Sequence, residues 1–358
     1  MTKKDDFRVG FISSPHPHSP MHMKTLEVMP EISEIHLCGI GGEDLNALGA
    51  ISSKVQSSTT DLSTFFANKS IDAVIVSVRN DLCPDVLAKA IAFNLPVLFE
   101  KPGAVSSMEL RKISNAASVN NLIFGAMYQN RWKKSMKQVR DLVSSGALGT
   151  IMAIEARTVT SQVRYRDPDH WLFKKEYSGS GILSWLACHQ LDLMCHILGN
   201  RVVEVSAMVS NLNPEEITVE DTAVLNLKFD SGVIGSMHAG YHMAGSNPGY
   251  AGGSYDNFLG IRGVGGYIRV PSATSDSYEI YTEVDAWVTE KLETREFASI
   301  PSEAYGGKVG EDFVSDFLKA SRDGLNAPAP IEDAIHVLDI VEAALESSET
   351  GRSVTVRN

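Results

Sequence analysis

Hydrophobic and polar positions along this chain follow one rhythm up to about residue 150 and another after it. From residue 7, short β-branched runs alternate with amphipathic stretches. The order is FRVGFIS, a helical pattern after Pro20, EIHLCG, a helical pattern from Glu43, DAVIVSV, a helical pattern from Asp85, and LPVLFE. Apolar runs this brief, separated by helical periods, predict strands of a parallel sheet covered on both faces. The rhythm continues through a helix over 106–119, the run LIFGAMY at 122–128, and a helix over 132–146 that ends at SGALG.

Beyond that glycine, strand-like runs follow one another directly: IMAIEARTV, VVEVSAMVS, TAVLNLKF, GVIGSMHAGYH, GYIRV and SYEIYTEV. Their alternation predicts a large antiparallel sheet, interrupted by one apolar helix over 182–198. Two helices close the pattern, EDFVSDFLKASRDG ending on Gly324 and IEDAIHVLDIVEAALESSETG ending on Gly351. The expected fold class is α/β. A Rossmann-like doubly wound parallel sheet fills residues 1–126, and an α+β domain with a large, mainly antiparallel open sheet fills 127–358, its C-terminal helix able to pack back on the first domain.

Length fits this division, since 358 residues exceed one ordinary core. The net charge of -12 argues against nucleic acid and anionic membranes, which need clustered Lys and Arg, and favours a small-molecule partner. Cys38, Cys83, Cys188 and Cys195 lack the paired spacing of a disulfide framework or a zinc knuckle. The opening MTKKDDFRVGFI has no apolar leader, and the stretch 182–198 is broken by His189, Gln190, Asp192 and His196. A cytoplasmic protein is expected.

Four constellations carry candidate chemistry. Glu100-Lys101-Pro102 follows a strand run, and ligands of open parallel sheets bind beyond the carboxyl ends of strands, so Lys101 belongs either in that crevice or on the surface. In the helix SGSGILSWLACHQLDLMCHILG, a regular 100° step puts Trp185, His189, Asp192 and His196 on one face. His189 suits general acid or base chemistry with Asp192 to orient it, or the two form a buried pair. The loop SSPHPHSPMH carries His16, His18 and His22 where dinucleotide folds place glycines. Without a nearby Asp, Glu or Cys, a metal site is set aside there in favour of a cofactor-facing or solvent loop. Finally, MYQNRW and TSQVRYRDPDHWLF offer Tyr128, Arg131, Arg164, Asp169, His170 and Trp171 for a sugar pocket or for ordinary packing.

Taken in order, DAVIVSV, VLFEKPGAVS, YQNRW with SGALG, the SGSGILSWLACHQLDLMCHILG helix and PAPIEDAIHVLDIVEAALESSETGR resemble the Gfo/Idh/MocA oxidoreductases over nearly the whole chain. The resemblance implies hydride transfer between NAD or NADP and a secondary hydroxyl or carbonyl of a sugar, sugar derivative or cyclitol, in a homodimer or homotetramer. It implies a catalytic Lys101, often followed by a cis proline, and a proton-transferring His189. It further implies cofactor contacts from Ser13, Ser14, His16, His18, Ser77, Asn80, Glu100 and Lys101, and substrate contacts from Tyr128, Arg131, Arg164, Trp171, Trp185 and Asp192.

Three departures qualify it. Trp185 replaces an aspartate four residues before the histidine, the first loop lacks its glycines, and Gly39 stands where an acidic residue would hold the ribose of NAD. No arginine adjoins Gly39 to meet a 2′-phosphate either, so the choice between NAD and NADP stays open, with NAD favoured. Two alternatives stay open: NAD-assisted elimination or hydrolysis of a glycoside without net redox change, and a sugar-sensing protein on the same scaffold.

Overall fold

The computed structural model describes residues 6–244, 255–271, 276–284 and 292–357. The first five residues, part of the stretch read as carrying no leader, lie outside them. The chain divides into two compact units, the described parts of Met1–Gln129 with Ile300–Ile335, and of Asn130–Ser299 with His336–Asn358.

In the first unit, β1 (Phe7–Ser13), α1 (Ser19–Val28), β2 (Ile32–Gly39), α2 (Leu45–Gly49), β3 (Val55–Thr59), α3 (Leu62–Phe66), β4 (Ala73–Ser77), α4 (Cys83–Ala92), β5 (Val97–Phe99), α5 (Ser107–Val119) and β6 (Phe124–Ala126) alternate. The strands lie in the order β3-β2-β1-β4-β5-β6 and every pairing is parallel. This is the doubly wound order of dinucleotide-binding sheets, with its reversal between β1 and β4. β1, β4 and β5 are buried almost throughout, as their continuous Val, Ile and Phe content requires. Each such side chain contributes roughly 1.5–3 kcal/mol on burial.

Residues 300–335, placed in the second domain by the sequence pattern, group with this unit. Ala126 N–H donates to the Ala329 carbonyl at 2.9 Å, so the chain near Ala329 covers the open edge of β6. Ser114 Oγ bonds Glu332 Oε1 at 2.6 Å.

The second unit holds α6 (Lys134–Ser144), β7 (Ile151–Ser161), α7 (Lys175–Ser178), α8 (Cys188–Leu198), β8 (Val202–Ser210), β9 (Thr222–Phe229), β10 (Ile234–Met243), β11 (Tyr255–Gly263), β12 (Gly266–Pro271), β13 (Ser277–Thr282) and β14 (Leu292–Glu296). Two long helices follow in the chain, α9 (Lys308–Asp323), which belongs to the first unit, and α10 (Ile331–Thr350), before β15 (Val354–Thr355). Among the described residues nine strands form one sheet in the order β14-β13-β12-β11-β7-β10-β9-β8-β15, antiparallel except for the parallel pair β7–β10. Among the described residues no helix is long and apolar enough to cross a membrane.

Candidate active site

At the carboxyl end of β5 the chain makes Glu100, Lys101 and a cis bond to Pro102, as the resemblance implies. Lys101 is only 1% exposed and Glu100 3%. A charged residue is almost never this buried unless it is partnered or functional.

Glu100 is the hub of a buried cluster. Its Oε1 lies 2.9 Å from His18 Nδ1 and 2.7 Å from His22 Nε2. Burial on its own would raise this carboxyl. The charge and hydrogen bonding of His18, followed by the same from His22, outweigh that and hold it well below the usual carboxylate range. An ionised carboxylate only accepts, so both imidazoles donate to it. His18 Nε2 is then the acceptor for the Tyr305 hydroxyl at 3.2 Å. His16 Nδ1 accepts the His18 N–H at 3.1 Å. Burial, more than any neighbouring charge, pushes His16 well below and His18 below the ordinary imidazole value. The sequence argument against a metal rested on the lack of a nearby acidic residue. The sheet supplies one from 82 residues away in sequence, because β1 and β5 end on the same side.

Beside this cluster runs a chain of hydroxyls. Ser13 Oγ lies 2.7 Å from Ser19 Oγ, and Ser19 Oγ reaches Ser77 Oγ at 2.9 Å. Ser14 Oγ accepts the Arg79 N–H at 2.9 Å, and Asn80 is buried close by in sequence. Ser13 also meets Glu43 Oε2. Burial raises the Glu43 carboxyl while the Ser13 hydrogen bond lowers it, and burial prevails.

This donor set fits a nicotinamide dinucleotide. Hydroxyls, a carboxylate suited to ribose hydroxyls and a buried ammonium stand at the carboxyl ends of β1, β2, β4 and β5. One feature departs from a glycine loop. His18 N–H and Ser19 N–H are both taken by His16, and Pro20 has none, so the amino end of α1 offers fewer open donors than usual.

In the second unit the motif Ser-Gly-Ser-Gly is shaped by Glu220. Its buried Oε1 accepts from Ser180 Oγ at 2.6 Å, Gly181 N at 2.8 Å and Leu183 N at 3.0 Å. A Cβ on Gly181 would lie 2.0 Å from the Glu220 carbonyl oxygen, so only glycine fits. The expected single α-helix over 182–198 does not form. Leu183–Ala187 is a wider π turn, and α8 begins at Cys188. The 100° step therefore fails between Trp185 and His189.

His189 is half-buried in the first turn of α8. Asp192 is buried, with Oδ2 accepting from Arg131 Nε at 2.9 Å and Oδ1 from the other arm of the same guanidinium. His196, on the next turn, is pushed down to about 3 by burial and then by Arg131 and Arg140. Trp185 packs edge-on against Trp171 at 6.4 Å, and Leu172 joins them in one buried cluster.

The structure thus gathers Ser13, Ser14 and Ser77 in one group, His16, His18 and Glu100 in a second, Arg131 with Asp192 in a third, and Trp171 with Trp185 in a fourth. Tyr128 is fully buried just after β6. Arg164 is exposed, its guanidinium 4.9 Å above the Tyr165 ring. Sequence reasoning missed Glu43, Glu220 and Tyr305. The Gly41-Gly42 turn before Glu43 was the one visible signal, since it lets the chain fold back toward β1.

Comparison with known proteins agrees with this geometry. Residues 9–128 match the family described as an oxidoreductase family with an NAD-binding Rossmann fold, and residues 136–269 match the GFO/IDH/MocA C-terminal domain. Levoglucosan dehydrogenase of Pseudarthrobacter phenanthrenivorans is 22% identical over 332 residues, covering 82% of each chain. The scyllo-inositol 2-dehydrogenase (NADP(+)) of Bacillus subtilis is 24% identical over 302 residues, covering 80% of each. Among solved structures, an oxidoreductase domain protein from Kribbella flavida has a TM-score of 0.85 at 20% identity, covering 99% of this chain and 100% of its own. Levoglucosan dehydrogenase in complex with NADH and levoglucosan gives the same values.

Proposed function

Because this chain belongs to the Gfo/Idh/MocA family of oxidoreductases, we propose that it moves a hydride between a nicotinamide dinucleotide and a secondary hydroxyl or carbonyl of a sugar, sugar derivative or cyclitol. The observation that carries this reading is Lys101, an ammonium 1% exposed at the ligand-binding end of a parallel sheet. Such a cation is suited to stabilising the alkoxide that develops as hydride departs. His189 takes the hydroxyl proton in oxidation and returns it in reduction. The Arg131 fork on Asp192 restrains α8, the helix that carries His189 three residues earlier.

Bound NAD or NADP supplies the hydride acceptor or donor. Ser13, Ser14, Asn80 and Lys101 would hold it, with His16 and His18 in place of loop glycines. We favour NAD, because the Glu43 carboxylate that reaches Ser13 would repel a 2′-phosphate.

The reading includes a cytoplasmic homodimer or homotetramer. Four cysteines without disulfides fit the former. Exposed Met208 and Val224, paired across β8 and β9, with Ile234 on β10, fit the latter.

Titration with NADH and NADPH, followed by quenching of tryptophan emission, tests the cofactor assignment. The expected result is saturable NADH binding, tighter than that of NADPH. Lys101→Met should abolish turnover of any sugar substrate while leaving the circular dichroism spectrum unchanged. A fully active Lys101→Met enzyme, or binding of neither nucleotide, would overturn the assignment.

A further inference from the structure

We propose that His16, His18 and Glu100 form a binding site for a divalent transition-metal ion such as zinc or cobalt. One ligand atom from each lies within 4.8 Å of the other two, all within the first unit. All three residues are at least nine-tenths buried, at 5%, 8% and 3% exposure.

A second observation points the same way. Glu100 Oε1 is already shared by His18 and His22, but Glu100 Oε2 is buried without a hydrogen-bond partner. A carboxylate oxygen stripped of water in this way is a site for a cation or a proton. His22 then acts as the outer support that a metal-binding carboxylate ordinarily has.

The donor set chooses the metal. Two imidazoles and one carboxylate match zinc, cobalt or nickel, whereas magnesium and calcium prefer an all-oxygen shell. Lys101 opposes a second cation, since its charge is felt at both imidazoles. The site should therefore bind less tightly than a closed four-ligand zinc centre. Ligation by Glu100 and His18 replaces the hydrogen bond that now joins them.

The test uses the full chain without a polyhistidine tag, stripped by chelator and titrated with cobalt(II). The expected result is a visible ligand-field absorption that saturates at one ion per chain and is displaced by zinc. His16→Ala and His18→Ala should each weaken binding at least tenfold while retaining the native circular dichroism. Should these variants fail to fold, zinc-soaked crystals of the unaltered protein decide through anomalous scattering. A peak about 2.0–2.2 Å from ligand atoms of His16, His18 and Glu100 is expected. No saturable absorption, absorption unchanged in the folded His16→Ala variant, or a peak elsewhere overturns the proposal. His16 and His18 also face the dinucleotide in the proposed function, so the titration is run without NADH, and failure of the metal proposal is read apart from failure of the dehydrogenase reading.

Discussion

The two units treat buried charge in opposite ways. In the first, imidazoles, a carboxylate and an ammonium crowd at the ends of β1 and β5, and the carboxylate keeps one oxygen without a partner. In the second, the charge beside the catalytic candidate His189 is locked: both oxygens of Asp192 accept from one guanidinium. The adjoining Trp171 and Trp185 are packed against each other. The first arrangement can take on a proton, an ion or a ligand. The second holds a helix still, which is what a proton-transferring residue on that helix requires.

The sharpest way to break this contrast is Asp192→Ala, which strands Arg131 in a buried setting. Removing one partner of such a pair costs about 3–5 kcal/mol, measured by urea unfolding. A loss below about 1 kcal/mol would mean the pair is not locked. The double change Arg131→Met with Asp192→Leu should recover most of the stability.

The next largest effect is on pH. His16 and His18 refuse, when folded, the proton that an unfolded imidazole takes near pH 6.5. Their contribution to stability is thus complete above about pH 6.5 and is lost as pH falls below it, by roughly 1 kcal/mol per pH unit and group. Glu100, held low, adds stability that is lost only in stronger acid, as pH falls through its folded value. His196 adds a loss of the same sign from the second unit. The thermal midpoint should be flat above pH 7 and should fall below pH 6.5, less steeply in His16→Gln. Equal slopes in both proteins would remove the first unit's cluster from the account.

Gly181→Ala comes next, because the new methyl meets the Glu220 carbonyl. The cost expected from overpacking is about 1–3 kcal/mol, with a larger KM effect if the π turn shifts His189. Smallest is Trp185→Phe, which keeps an aromatic edge against Trp171 and should cost about 0.5–1.5 kcal/mol. A much larger loss of sugar affinity than of stability would show that Trp185 also meets substrate.

Much of the fold was legible because strand and helix periods differ. FRVGFIS is β1 residue for residue, and VVEVSAMVS and TAVLNLKF are β8 and β9. What escaped were strands without the pattern. VQSST of β3 is polar and mostly exposed, as an edge strand can be, and YDNFLGIRG of β11 interrupts its alternation with Asn257 and Gly260. The parallel β7–β10 pair has no local signal at all.

The site was legible where it is local, in Glu100-Lys101-Pro102 and in the spacing of His189 and Asp192. It was opaque where partners are distant. Nothing near SSPHPHSPMH announces that Glu100 and Tyr305 close on its imidazoles. Nor does SGSGILSW announce the Glu220 carboxylate that accepts from Ser180, Gly181 and Leu183, or the π turn that follows.

The cover that Ala329 gives to β6 has a consequence for the order in which the protein is made. All six strands of the first sheet have left the ribosome some two hundred residues before that cover is synthesised. For that interval a nascent chain carries an unpaired strand edge, the surface on which chains of this kind associate wrongly. Truncation before residue 300 would make that interval permanent, and aggregation of the fragment would be its signature.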